Sequence, residues 1–511
     1  MLNILLLLPF MLMSVGETAR ILALVPMPMR SHWIVMEPLF QELASRGHQL
    51  TVFSPFPQKK PITNYTDVDF SQILPPLTSQ FSVDMIKERL PDPWASTYFF
   101  YDVHETTCRK VLKLPEFQGL LKAKGQYDLL ITEIFGTDCY AYFARLLDIP
   151  MVSITTSIAM PWAADRFGLP DNPSYIPNYL VNFSPQMSFG ERIHNTLTLS
   201  YAKLMHSFVY ARESQVWAEE SLGMKLPPLG DVVANTSLYL INSFHILSLS
   251  RPFPPNVVEI GGIHIRERRP LPQDIQNVVD GAKHGIILMS FGSLLRASTF
   301  PKEIILMFMR VFSRIPQTVI FKYEEDLPEA PPNVIIRKWL PQRDLIEHEK
   351  VVAFIAHGGL SSTIEAVNFG KPMIGIPFFA DQRNNIRAII SKEAGIQLDL
   401  DGVTEQTIAN TIAEILNNPK YTNNMRLLSM RFRDRPMTAL DSAVYWTEYV
   451  IRHRGAPQLR PTSADMPLYQ YLLLDIVAVI LGVIITAVTA LRAVCLCLCG
   501  RPGKLNEKKT N

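Results

Sequence analysis

Residues 351–382 set two stretches of buried-strand character on either side of one short helix, which limits the chain to a parallel α/β design. Val351 to Ile355 is apolar and of strand length; it breaks at His357-Gly358-Gly359, and a helical pattern starts at Leu360. Gly370 ends the helix, Lys371-Pro372 blocks its continuation, and Met373 to Phe379 reads as a second strand delivering Asp381-Gln382 at its carboxyl end. Ligands of such sheets gather at the carboxyl ends of the strands. Paired glycines admit a ligand close to the backbone, and the N–H groups and positive dipole end of the next helix suit a phosphate. Ser361 or Ser362 is expected to cap that helix, with Glu365 further along the same face.

The alternation runs through the chain. Arg20 to Pro28 is a first buried strand, a helical stripe from Ser31 (Ile34, Met36, Leu39, Phe40, Leu43) stops at Gly47, and His48 to Ser54 is the next strand. This is a right-handed parallel unit, with Ser31-His32 at the strand end where function is expected. Tyr127 to Thr132, ending at Glu133, Met151 to Thr156, Ser237 to Ser243 and Val257 to Ile263 continue the first domain. Arg266 to Gln273 is charged, proline-bearing and poor in apolar residues, as a linker would be. Strands are expected again at Ile286 to Phe291, Thr318 to Tyr323, Val334 to Ile336 and Ile396 to Leu398. The reading is α/β, two doubly wound Rossmann-like domains at 17–265 and 277–455, with a linker at 266–276.

With 511 residues, 48% of them hydrophobic, the chain has material for two cores. A net charge of +2 provides no basic field, which excludes nucleic acid as a partner. Residues 1–16 read as a signal peptide, and Tyr471 to Leu491 as a transmembrane helix. Arg492, Arg501, Lys504, Lys508 and Lys509 place the tail 492–511 in the cytosol, predicting a single-pass type I protein with its bulk luminal. Asn64, Asn182 and Asn235 begin glycosylation sequons, the second weakened by Pro185. Of five cysteines, three crowd the C-terminal end, and Cys108 and Cys139 are expected as two separate buried thiols rather than a bridge.

His357-Gly358-Gly359, Ser361, Glu365, Pro372, Pro377 and Asp381-Gln382 at this spacing resemble the signature of the UDP-glycosyltransferases (family 1, GT-B fold), and the resemblance covers nearly the whole chain. It implies two Rossmann-like domains facing a cleft, with the acceptor pocket built from residues 55–230. The implied activity is inverting, metal-independent transfer of a hexose from a UDP-sugar to the hydroxyl of a small lipophilic acceptor such as a xenobiotic, phenolic or steroid. The UDP-sugar is co-substrate and no cofactor is expected. The segment Gly136-Thr137-Asp138-Cys139 is more similar to arthropod members, which favours UDP-glucose; UDP-glucuronate is the alternative. The terminal Lys508-Lys509-Thr510-Asn511 resembles a retrieval signal of the endoplasmic reticulum membrane. Membrane lipid is an implied partner, and a homo-oligomer is left open. An alternative of another class is a non-catalytic binding protein of the same fold, which would release no UDP.

Such a transfer needs a base for the acceptor proton and an anion site for the leaving diphosphate, on opposite sides of the sugar. The resemblance makes His32 the base, and a helix N-terminus favours its neutral form. A carboxylate should orient it: Glu133 by position, or Asp138, which has the usual side-chain length. The resemblance places Trp339 under the uracil, Gln342 on the uracil or ribose, and Glu365 on the ribose hydroxyls. His357, Gly358, Gly359, Ser361 and Ser293 would hold the diphosphate, and Asp381 and Gln382 the sugar. Two departures are Ala356, where relatives carry a hydroxyl, and Lys322, where many carry Arg. A metal-dependent transferase would use an Asp-x-Asp triplet. Asp67-Val68-Asp69 adjoins a sequon and Asp399-Leu400-Asp401 reads as a turn, so neither is assigned a metal.

Overall fold

The computed structural model describes residues 18–500 apart from 91, 137 and 249, so the expected signal peptide and the basic residues from 501 onward lie outside the described residues. One sheet contains β1 (Arg20–Leu24), β2 (Gln49–Ser54), β3 (Tyr65–Asp69), β4 (Leu129–Glu133), β5 (Met151–Thr155), β6 (Leu238–Ile241) and β7 (Val257–Glu259). A second contains β8 (Ile286–Ser290), β9 (Thr318–Lys322), β10 (Val334–Arg337), β11 (Val351–Ala356), β12 (Met373–Gly375) and β13 (Gly395–Gln397). The strand orders are β3-β2-β1-β4-β5-β6-β7 and β10-β9-β8-β11-β12-β13, with every pair parallel. Both sheets reverse their winding between their first and fourth strands, and each reversal opens a crevice at the strand ends. This is the doubly wound pair that the alternation predicts.

Alternation within the strands divides each core in two. Ile21 and Ala23 of β1 face one side, with Trp33, Met36, Phe40 and Leu43 of the helix Arg30–Ser45, while Leu22 and Leu24 face the other. In β8, Ile287 and Met289 enter one core and Ile286 and Leu288 the other. All are fully buried, and each large aliphatic side chain contributes roughly 1.5–3 kcal/mol. Because both faces of each sheet are covered, the strands are continuous apolar runs.

The chain departs from its sequence reading at several points. β3 is an edge strand that carries Asp67 and Asp69, so that acidic triplet is paired sheet where the sequence reading places no strand. β12 stops at Gly375; the amides of Phe378 and Phe379 bond instead to Gln382 Oε1, at 2.8 and 3.2 Å. The linker is strapped down: Arg266 meets both Asp344 oxygens at 2.9 Å, and the helix Gln273–Gly281 begins inside the expected 266–276 span. The helix Ala439–Arg452, expected with the second domain, buries Ala443, Val444 and Val450 against the first sheet's core. Residues through Arg460 accordingly form one unit. Cys108 and Cys139 are bridged, with Cα atoms 6.2 Å apart, contrary to the expectation of two free thiols. The bridge ties the helix Pro93–Val111 to the turn Asp138–Ala141 in a core where both sulfurs are buried. Of the sequon residues, Asn64 and Asn235 are exposed and Asn182 is half-buried.

The second unit, from Pro461, contains the helix Leu474–Leu498, 25 residues long and apolar enough to cross a membrane. It starts three residues later than the sequence reading and continues past Arg492. Cys495, Cys497 and Cys499 are free and exposed on it and just beyond it.

Closing a loop across a sequence separation of 31 residues stabilises the chain by roughly 3–4 kcal/mol. Cys139→Ser is therefore expected to lower the melting temperature of the full chain by several degrees, and reductant should do the same to the wild type. An unchanged melting temperature in both experiments would mean that the bridge does not form in solution.

Candidate functional site between the two crevices

The two crevices face each other across a cleft of about 360 Å³. On the first side, the backbone leaves β1 through Met29 and enters the helix Arg30–Ser45, which sets His32 in its first turn. Glu133 ends β4, the strand across the crevice, and is fully buried. His32 Nδ1 lies 2.5 Å from Glu133 Oε1. Thr156, just past β5, has its hydroxyl 3.1 Å from the same nitrogen and 3.2 Å from the same oxygen. A carboxylate acceptor fixes the Nδ1–H tautomer and leaves Nε2 with a lone pair. Phe135 crosses the imidazole edge-on with ring centroids 4.4 Å apart, which limits its rotation.

Asp138 does not reach His32. Its carboxylate is bidentate to Arg166 and lies 3.0 Å from His206 Nε2, in a buried cluster. Burial pushes its carboxyl up, but Arg166 and His206 outweigh that and hold it well below the usual carboxylate range. Between the two candidates, the geometry pairs Glu133 with His32 and gives Asp138 to the core.

On the second side, the loop after β8 contributes Gly292 and Ser293, and the turn after β11 contributes His357 and Gly359. A Cβ on Gly292 or on Gly359 would come within 2.7 Å of the His357 ring, and one on Gly358, at φ +85°, within 2.9 Å of the Gln382 carbonyl. Only glycine lets the backbones at 292 and 359 close around that imidazole and the one at 358 approach Ile386 and the Gln382 carbonyl. The helix Leu360–Asn368 has Gly359 as its N-cap and no side-chain cap. The expected serine cap is thus absent: Ser362 instead accepts from Gln342 at 3.0 Å, while Ser361 lines the cleft. The helix's first-turn N–H groups stay available to an anion. Burial, with Lys322 nearby, lowers His357 to about 4, so it offers a neutral ring. Ala356 is buried in the core below this turn and does not line the cleft.

Glu365 is buried one turn into the helix and receives Gln342 Nε2 at 2.7 Å. Burial pushes its carboxyl up to about 7 despite that bond. Its other oxygen lies 3.9 Å from His264, whose Nε2 is 3.2 Å from the Ser361 carbonyl oxygen. Trp339 is 54% exposed at the rim, with the Lys322 ammonium 5.8 Å from its ring centroid, so one indole face is free to stack. Asp381 and Gln382 line the far end; Gln382 uses its carbonyl on the Phe378 and Phe379 amides, which leaves its NH₂ for a ligand. Phe81 packs against Phe99 and Phe379, with centroids 5.9 and 6.1 Å away, as an apolar wall of the cleft.

Except for Glu133, Asp138 and Gly358, the structure brings every catalytic or donor candidate from the sequence to the cleft lining, Glu133 standing directly behind His32. The sequence reading missed Thr156 and His264. Thr156 follows a strand at its carboxyl end, a signal that was available; His264 comes just after the residues read as the strand Val257 to Ile263, and nothing in the pattern marks it.

Residues 20–509 match the family described as UDP-glucoronosyl and UDP-glucosyl transferase. UDP-glucosyltransferase 2 of Dactylopius coccus is 39% identical, covering 92% of this chain and 91% of that protein. UDP-glucuronosyltransferase 2B15 of Rattus norvegicus is 31% identical, with 94% and 93% covered. Among solved structures, the kitacinnamycin glycotransferase superposes with a TM-score of 0.58 at 17% identity, over 87% of this chain and all of that one. The calicheamicin glycosyltransferase CalG4 superposes with a TM-score of 0.57 at 18% identity, over 85% of this chain and 99% of that one, and both establish the GT-B fold.

Glu365 provides a test of the donor side. A carboxyl whose folded value of about 7 exceeds its ordinary 4.5 holds its proton more tightly when folded. Ligand-free stability then falls as pH rises between those values, and the full cost is present above about pH 7. Glu365→Gln, neutral throughout, should melt higher than wild type above that pH, by an amount on the order of 3 kcal/mol at most, and equally well in acid. A difference that does not vary with pH would contradict the buried carboxyl.

Proposed function

We propose a specific reaction for this chain, which belongs to the family of UDP-glucoronosyl and UDP-glucosyl transferases and transfers sugar from a UDP-sugar to an acceptor. The reaction is inverting, metal-independent transfer of a hexose, glucose by preference, to the hydroxyl of a small lipophilic acceptor. Similarity to relatives named as UDP-glucosyl- and UDP-glycosyltransferases supports turnover over the non-catalytic alternative. The observation that carries the reading is the His32–Glu133 contact, on the opposite side of the cleft from the His357-Gly358-Gly359 turn.

His32 Nε2 takes the acceptor proton as the oxygen attacks the anomeric carbon from the first-domain side. The Glu133 carboxylate holds the ring and stabilises the imidazolium that forms. The Leu360–Asn368 helix N-terminus, with Ser361, Ser293 and neutral His357, receives the charge that grows on the leaving UDP. Attack and departure on opposite faces invert the anomeric centre. Trp339 stacks the uracil, Glu365 and Gln342 take the ribose, and Asp381 and the Gln382 amide take the sugar hydroxyls. Neither acidic triplet lines the cleft, which supports a diphosphate stabilised by protein donors alone. The wall of Phe81, Phe99 and Phe379 favours an apolar acceptor body.

A neutral donor sugar is supported by the pairing of the cleft's cations. Lys322 meets Glu324 at 2.7 Å, Arg266 meets Asp344, Arg343 meets Glu347, and Arg30 lies over the Phe56 ring. A glucuronate carboxylate would have to displace one of the three acidic partners or be met by Arg30 alone. UDP-glucose should therefore turn over faster than UDP-glucuronate, and the reverse order would overturn the glucose assignment.

The Cys108–Cys139 bridge and the terminal apolar helix support residence in the endoplasmic reticulum membrane with the catalytic unit in the oxidising lumen. In sealed microsomes, added protease should spare that unit; its degradation would contradict the topology.

His32→Ala should lose roughly 10²–10⁴-fold in kcat/KM on an aliphatic alcohol while UDP affinity is unchanged. A phenol already ionised at the assay pH should lose far less. Equal losses on both acceptors would remove His32 from the base role.

A further inference from the structure

The helix Leu474–Leu498 is longer than the apolar interval that its own charges mark out. Asp475 stands in its first turn and Arg492 near its end, with no charged residue between them. Their seventeen-residue separation corresponds to about 26 Å of helix, close to the roughly 27 Å hydrocarbon thickness of an endoplasmic reticulum bilayer. Hydroxyls inside that interval are satisfied locally, since Thr486 and Thr489 donate to the Gly482 and Ile485 carbonyls at 2.8 and 2.9 Å. A bilayer bounded at Asp475 and Arg492 has no need of residues 493–499, yet that stretch is wholly apolar, Ala-Val-Cys-Leu-Cys-Leu-Cys, and the helix runs on through Leu498. Leu496 and Leu498 are 77% and 80% exposed. Such side chains are unfavourable in a headgroup layer unless something apolar there covers them.

Every second residue from 495 to 499 in this stretch is a cysteine. Cys495, Cys497 and Cys499 are free and exposed, about 5 to 11 Å beyond Arg492 along the axis. A rotation of about 100° per residue sets Cys495 and Cys499 on one face and Cys497 on the opposite one, so the thiols surround the helix end. Arg501 follows almost at once, and with Arg492 it holds this end at the membrane interface. The other two cysteines of the chain are bridged in the catalytic unit. A bridge belongs to an oxidising compartment and free thiols to a reducing one, so the two groups of cysteines suit opposite sides of a membrane. On the reducing side, exposed thiols next to a membrane span are acceptors for fatty acyl groups, whose chains bury their methylenes in the adjoining bilayer.

We propose that Cys495, Cys497 and Cys499 form an S-acylation site that takes long-chain fatty acyl groups. Each thiol sulfur attacks the carbonyl carbon of a fatty acyl-CoA. A bond forms between that sulfur and the acyl carbon, the bond from the acyl carbon to the CoA sulfur breaks, and the cysteine proton ends on the CoA thiol, with no change of oxidation state. The attached chains turn back into the bilayer and cover Leu496 and Leu498. The proposal rests on the topology argued above, which puts this end of the helix on the cytosolic side, and the test separates the two.

Microsomes are prepared from eukaryotic cells expressing the full chain. Free thiols are blocked with N-ethylmaleimide in detergent, thioesters are cleaved with neutral hydroxylamine, and the thiols so released are tagged with a polyethylene-glycol maleimide that retards the chain on a gel. The wild type should show a hydroxylamine-dependent shift of one to three tags, and an alkyne analogue of palmitate fed to the cells should label it. A variant with Cys495→Ser, Cys497→Ser and Cys499→Ser should show neither, because the bridged Cys108 and Cys139 do not respond to hydroxylamine. Absence of the shift in the wild type, or its persistence in the triple variant, would overturn the site. A membrane-impermeant maleimide reads the topology in sealed vesicles, and after hydroxylamine it should label the wild type without detergent. Labelling that needs neither hydroxylamine nor detergent would overturn acylation and leave the topology standing. Hydroxylamine-dependent labelling that appears only once detergent opens the vesicles would uphold acylation and overturn the topology. Labelling that needs detergent but no hydroxylamine would overturn both.

Discussion

The contact between His32 Nδ1 and Glu133 Oε1, 2.5 Å across the β1 and β4 crevice, is the interaction on which the functional reading depends. Two backbone decisions bring those atoms together. β1 ends so that a helix starts two residues before His32, and β4 runs far enough that Glu133 is its final residue. Register does the rest, because Leu24 of β1 pairs with Thr132 of β4, which places the two strand ends side by side. Burying an unpaired carboxylate would cost several kcal/mol, so Glu133 is tolerable at that depth because His32 and Thr156 meet it.

The second sheet repeats the device with a different payload. Where the first crevice presents the His32–Glu133 pair, the second presents backbone amides, a neutral imidazole and a buried carboxyl. Gly292, Gly358 and Gly359 exist for close approach, since each Cβ would collide with His357, Ile386 or the Gln382 backbone. The two crevices are held opposite one another by main-chain bonds between the domains. Ser79 donates to the Ser293 carbonyl at 2.7 Å, and Arg296 donates to the Phe81 carbonyl at 2.9 Å. These bonds join the apolar wall of the cleft, through Phe81, to the loop that carries Gly292 and Ser293.

What was legible in the sequence followed from short-range periodicity. Apolar runs of strand length, glycines at tight turns and a histidine just past the first strand all announce themselves locally. What was hidden depends on distance in space. Nothing in the separation of Cys108 and Cys139 reveals that a helix and a turn bring them together. β3 escaped notice because Tyr65-Thr66-Asp67-Val68-Asp69 is too polar to read as a strand, a composition that only an edge position allows. The helix Ala439–Arg452 has a clear apolar stripe, but periodicity cannot say which of two sheets that stripe will cover. The choice between Glu133 and Asp138 likewise turned on Arg166 and His206, which are distant in sequence and occupy Asp138.

A double-mutant cycle on kcat/KM with an aliphatic alcohol acceptor tests the central claim most directly, because it asks whether His32 and Glu133 act as one unit. Glu133→Gln keeps the size and the buried position while weakening the acceptor for Nδ1–H. The account predicts a large loss for Glu133→Gln when His32 is present and almost none when it is introduced into His32→Ala. Losses that multiply independently would show that Glu133 does not work through the histidine, and would contradict the account.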